Sequence, residues 1–255
     1  MRGLSDTDDV GSTVARLTAD DGADRRARAR LLAQLAGELG RRMREAGARA
    51  VASGRWLTDT VEELVPHLPV RDLPTLREHY DGQSGDALAT ALVTAAARAT
   101  TAVGAAGGVV ASLELANPPL LLTTPVQVAA ETLAVVAIEV KLIGELHAVY
   151  GQVPPGAPAV RAAAYLGSWT RRRGLDPSHL GGSMSGALRG AARRELRRRL
   201  LRRAGTNATT VLPFFTGAVA GASLNGRETR SLGERVVADL GGQLGAAPAQ
   251  SRRDR

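Results

Sequence analysis

The chain has 255 residues and no cysteine, which excludes a disulfide scaffold, thiolate metal sites, iron–sulfur clusters and a cysteine nucleophile together. Hydrophobic residues make up 44% and aromatic residues 3%, so the chain as a whole is globular in composition and its core must come mainly from Ala, Leu and Val, a diet that suits packed helices better than sheets. The net charge of +8 suggests an anionic partner, but Lys141 is the only lysine among 33 basic residues. That bias toward arginine also follows from GC-rich codons, so distribution informs more than total.

Residues 1–23 are polar and acidic, with Asp6, Asp8, Asp9, Asp20 and Asp21, and are expected to form a mobile tail. They lack the basic flank, apolar stretch and small-residue cleavage site of a secretory signal, so an intracellular location is expected. From residue 24 a single helical domain is expected to run to 240. Its first helix carries Leu31, Leu32, Leu35, Leu39 and Met43 at helical spacing. Thr58 and Asp59 are candidate N-caps for a short helix ending at Pro66, and a second short helix should begin near Leu73 and stop by Gly82.

Ala87 to Leu113 is Ala-rich and interrupted midway only by Arg98; Pro118 and Pro119 break it. A long helix follows from about Pro125 to Tyr150, closed by Gly151 and the linker Pro154, Pro155, Gly156 and Pro158, the expected seam between two helical halves. Its Glu131, Glu139, Lys141 and Glu145 are expected on a solvated stripe, with Lys141 and Glu145 an i, i+4 pair; an intramembrane polar relay is the alternative. A helix near 159–174 places Tyr165 and Trp169 on one face. Ser185 to Arg203 reads as a basic helix, Val211 to Leu224 as an apolar segment, and Arg227 to Leu240 as a last amphipathic helix capped by Asn225. Residues 241–255 are expected to be a second tail. Nowhere does strand-like alternation persist, so the fold class is all-α: a multi-helix bundle with Gly/Ala-rich, closely packed central helices.

Three stretches are low in charge: Ala99–Leu113, Leu115–Ala130 and Ala204–Gly226. A simple span needs about 20 mainly apolar residues, and short length, prolines or polar interruptions disqualify each as a clean transmembrane helix. Two contain GxxxG spacing, Gly104 with Gly108 and Gly217 with Gly221, which lets helix backbones approach closely. Such spacing serves a water-soluble core or a hairpin in a bilayer, and both readings stay open. The basic charge is sharply placed: residues 171–203 hold eleven arginines against Asp176 and Glu195. Arg189, Arg193, Arg194, Arg197, Arg198 and Arg202 form a broad cationic face opposite Leu188, Leu196 and Leu200, a pattern suited to an anionic membrane surface. A solvated face enriched by codon usage is the competing explanation. No stacking aromatics or nucleic-acid-reading module accompany it, so specific nucleic-acid binding is not expected.

Catalytic patterns fail one by one. The single lysine is followed by Leu142, which excludes a P-loop, and Met184 stands where a nucleophile elbow needs serine. His67, His79, His147 and His179 show no paired spacing, so no metal, no cofactor and no catalytic residues are expected. An enzyme would require the fold to gather His147, Glu139 and other polar groups in one pocket.

The stretches AARATTAVGAAGGVV and PVQVAAETLAVVAIEVKLIGELHAVYG, from Ala96 through Gly151, and FFTGAVAGASLNGRETRSLGERVVADL near the C-terminus, with Asn225 and Thr229, resemble the EcsC-like family of bacterial proteins. The resemblance covers about a third of the chain. It implies an α-helical, membrane-associated protein on the cytoplasmic side, some of whose relatives are encoded with an ABC transporter, and it carries no catalytic residues. The expected function is therefore a non-enzymatic accessory protein on the inner face of the membrane, partnered by an anionic surface or a membrane protein. The alternative is a soluble helical interaction module.

Overall fold

The computed structural model describes residues 3–19, 25–53, 55–115, 124–173 and 215–246. These form helices α1 (Gly3–Thr18), α2 (Arg25–Ser53), α3 (Arg55–Leu64), α4 (Leu73–His79), α5 (Gly85–Leu115), α6 (Thr124–Val149), α7 (Pro158–Arg172) and α8 (Phe215–Ala246), with a single 3-10 turn at Val65–His67 and, among the described residues, no strand. The all-α bundle expected from composition is what the described residues form.

The organising element is α6. Apart from four charged residues and a few uncharged polar ones its sequence is apolar on every side, and every residue from 126 to 146 is buried. It touches every other described helix. Its C-terminal end closes as the glycine predicts: Gly151 takes φ 65°, donating to Ala148 O at 3.2 Å while Gln152 donates to His147 O at 2.8 Å. This is the paired hydrogen bonding of a left-handed helix stop. The linker that follows is not a seam between separate cores. Tyr165 and Trp169 of α7 and Leu232 and Val236 of α8 lie in the same buried cluster as Leu133 and Ile143 of α6.

Three expectations are corrected. The supposed acidic tail over 1–23 contains α1, whose Val10, Val14 and Leu17 are at most 2% exposed and follow the 4, 3 spacing of one helix face. Its acidic composition masks that narrow stripe. Thr58 and Asp59 do not cap α3, which begins earlier at Arg55 so that Trp56 and Leu57 reach the core. Pro66 ends it, in the 3-10 turn. Asn225 does not cap a last helix either; α8 runs continuously from Phe215 through Asn225 and past Gly241 and Gly242. Packing of α8 along α5 outweighs the low helix propensity of its glycines.

By length and composition, Gly85–Ala106 of α5 is long and apolar enough to cross a membrane, at mean hydropathy 1.3 over its most apolar window, the one such stretch among the described residues. It starts earlier than the low-charge stretch beginning at Ala99. Half of that window is already buried inside the bundle, through Leu88, Leu92 and Val93, whereas Arg98 is exposed.

Candidate functional site

The polar groups of α6 are the feature that composition alone does not explain. Glu131, Glu139, Lys141 and Glu145 are 7%, 0%, 6% and 3% exposed, so the expected solvated stripe does not exist. A buried charge persists only when paired and hydrogen-bonded, and the partners come from distant segments.

At one end Glu145 is held by Arg71, from the loop before α4. Arg71 Nε reaches Oε1 at 2.8 Å and Nη2 reaches Oε2 at 3.2 Å, a two-pronged grip that lysine could not reproduce. Burial opposes the Arg71 charge, but Glu145 more than offsets it and the guanidinium pKa rises. Its Cζ lies 5.8 Å from the centre of the Tyr80 ring. Lys141 forms the expected i, i+4 pair with Glu145 at 3.6 Å and donates to Thr18 O at 3.0 Å, placing a cation at the carbonyl end of α1. These residues, with Leu92 and Ala96 of α5, line a cleft of about 20 Å³, room for a single water.

Two turns earlier, Glu139 accepts hydrogen bonds from Trp169 Nε1 at 2.7 Å and Thr229 Oγ1 at 2.8 Å and pairs with Arg173. Arg173 also reaches Glu228 at 3.0 Å. Desolvation works against the Arg173 charge, yet its two carboxylate partners raise its pKa. Helices α6, α7 and α8 are therefore joined at one carboxylate. Arg172 adds an ion pair to Asp239 beside it.

His147 does not join this cluster. Its Nδ1 lies 2.7 Å from Ile143 O and its ring 5.4 Å from that of Tyr165. Burial lowers its pKa, and Arg172 adds to that against the opposing bond to Ile143. Neither His147 nor Glu139 lines the 20 Å³ cleft or a second cavity of about 10 Å³ beside Arg42 and His67. Among the described residues no three His, Asp or Glu side chains converge as a metal site would require.

Tyr150, at the end of α6, donates its hydroxyl proton to Asp86 Oδ1 at 2.7 Å. Burial and this bond push its pKa up to about 12. The protonated phenol is the form the fold favours, so its contribution is complete below the unfolded pKa of about 10 and is lost as pH rises toward 12. Unfolding in urea across pH 9–12 should therefore show stability falling more steeply in the wild type than in Tyr150→Phe; identical slopes would refute the assignment.

Of the residues expected to act, Gly104 is buried on α5. Gly108 lies on α5, and Gly217 and Gly221 on α8, the two helices with the most extensive mutual contact. Their own packing falls outside the described residues. Between α8 and α5 the close approaches that are described involve Gly226 and Gly233, at a spacing of seven that a search for GxxxG passes over. Arg189, Arg193, Arg194, Arg197, Arg198 and Arg202 also lie outside the described residues. Arg71, Arg173 and Thr229 were missed as partners. Only an unpaired carboxylate on an apolar helix could have announced them. The chain matches no family model, no curated protein and no solved structure, so the EcsC-like resemblance rests on its residue pattern.

Proposed function

We propose that the chain is a non-enzymatic helical accessory protein on the inner face of the cytoplasmic membrane, its helical body held to the anionic surface by the arginines of residues 189–203. The observation that carries this reading is how the arginines of 171–203 divide. Arg173 turns inward to Glu139 and Glu228, Arg172 pairs with the exposed Asp239, and both serve the fold. Eight others crowd into 189–203 against Glu195 alone, a local excess of positive charge in the sequence. Each arginine close to an anionic surface contributes on the order of 1 kcal/mol, enough in concert for stable attachment. A transporter as neighbour follows from the EcsC-like resemblance.

The test is flotation of the full chain with vesicles of phosphatidylglycerol and phosphatidylcholine at low salt. Changing Arg193, Arg194, Arg197 and Arg198 together to Gln should weaken partitioning by at least about tenfold. Unchanged partitioning would sink the electrostatic attachment. The second reading, a soluble interaction module, draws on the half-buried state of Gly85–Ala106, which already spends that side of α5 on the core. Fractionation of a bacterial lysate separates the two: release by salt favours the surface protein, and release in plain buffer favours the module.

A further inference from the structure

Several arginines of the described body are engaged in ion pairs. Arg42 pairs with Glu63 at 2.9 Å, Arg71 with Glu145, Arg172 with Asp239, and Arg173 with Glu139 and Glu228. Arg26, Arg30, Arg41 and Arg44 of α2 are exposed and make no ion pair with a described residue. At 3.6 residues per turn these four fall within about 60° of helix circumference and along about 27 Å of its axis. Between them on the same line stand Ala33 and Gly37, both exposed and neither bulky. The opposite face carries Leu31, Leu32, Leu35 and Leu39, all buried, so the ridge cannot rotate inward. Glu38, one of the two acids of α2, faces Thr13 in the interior at 3.1 Å, and the other, Glu45, lies to the side of the ridge.

We infer that this arginine ridge of α2 is a second contact for an anionic lipid surface, a proposal that rests on the membrane reading above and extends it from residues 189–203 to the folded body. A straight, single-sign line with small residues between its charges meets a planar surface along its whole length. Long arginine stems reach the headgroups while Ala33 and Gly37 let the helix lie close. Duplex phosphates curve away from such a line, and the ridge has no aromatic side chain on which bases could stack. Two cationic stretches apart in the chain, one on α2 and one in 189–203, would add their attraction for the same anionic surface.

The experiment is flotation of the full chain with phosphatidylglycerol/phosphatidylcholine vesicles at low salt, with a phosphatidylcholine control. Arg26, Arg30, Arg41 and Arg44 are changed together to Gln, and a matched variant loses the same charge at Arg77, Arg98, Arg227 and Arg230, exposed positions elsewhere on the body. The ridge variant should partition on the order of 100-fold more weakly, the matched variant only a few-fold, and a Lys version of the ridge should stay within about threefold of wild type. All substituted side chains are exposed, so thermal unfolding followed by circular dichroism should coincide with wild type. Equal losses in ridge and matched variants would overturn the inference in favour of net charge. So would wild-type partitioning of the ridge variant, or a ridge-dependent binding of duplex DNA with no effect on vesicles. Failure of the wild-type chain to bind anionic vesicles would instead bring down the membrane reading itself.

Discussion

Glu139→Leu is expected to destabilise the fold by about 3–5 kcal/mol, because it strips a carboxylate from a site where Arg173 is largely buried and leaves that guanidinium with Glu228 alone. It also removes the acceptor used by Trp169 Nε1 and Thr229 Oγ1. For a chain of this size the loss corresponds to a fall of about 10 °C in the unfolding midpoint. Glu139→Gln separates the contributions: its amide oxygen can still accept from Trp169 or Thr229, so it should cost less than the Leu variant. The double variant Glu139→Leu with Arg173→Met should cost less than the two singles added, since removing both charges leaves neither uncompensated. Urea unfolding of the four variants beside the wild type decides this. A Leu variant within about 1 kcal/mol of wild type, or strict additivity, would show that the cluster is not the coupled unit its geometry describes.

That cluster also marks where the sequence stops being legible. The existence of α6 could be read from its long, largely apolar run between Pro125 and Gly151, and so could its stop at Gly151, because both are local properties of the chain. The fate of Glu139 could not. Its exposure depends on Trp169, Arg173 and Thr229, which arrive from 30 to 90 residues away. A charged residue on an otherwise apolar helix fits a solvated stripe and a buried pair equally well until its partners are placed. The error at α1 has a different cause: Val10, Val14 and Leu17 were visible at helical spacing, but the acidic composition around them outweighed the period. In the basic segment the pattern of charge is plain from the sequence. The ridge of α2 was half legible, since Leu31 to Leu39 define the buried face and so the opposite one. What periodicity could not supply is that Arg42 finds Glu63 while Arg41 and Arg44 find no such partner among the described residues.

The contact of α5 with α8 gives the second large effect. Gly226 faces Ala97 and Thr101, and Gly233 faces Val93, so higher numbers on one helix meet lower numbers on the other and the pair is antiparallel. A Cβ at Gly233 would stand 2.6 Å and 3.0 Å from the two methyls of Val93 and 3.3 Å from its Cβ. Valine is stiff about χ1 and cannot swing clear, so the backbones must separate. At Gly226 a Cβ would stand 2.1 Å from Thr101 Oγ1, which is already engaged with Ala97 O at 2.7 Å, and 3.1 Å from that same carbonyl. Alanine gains about 1 kcal/mol of helix propensity over glycine, so at an open site the exchange should stabilise. Gly37 of α2 has nothing within 4 Å of a built Cβ and serves as that reference. Against it, Gly233→Ala and Gly226→Ala should each destabilise by about 1–3 kcal/mol through overpacking. Val93→Ala should rescue the first and Thr101→Ala the second, each more than it helps the other. If both glycine variants are as stable as Gly37→Ala, the helices do not approach as closely as this geometry requires. If rescue is not position-specific, the clash lies elsewhere.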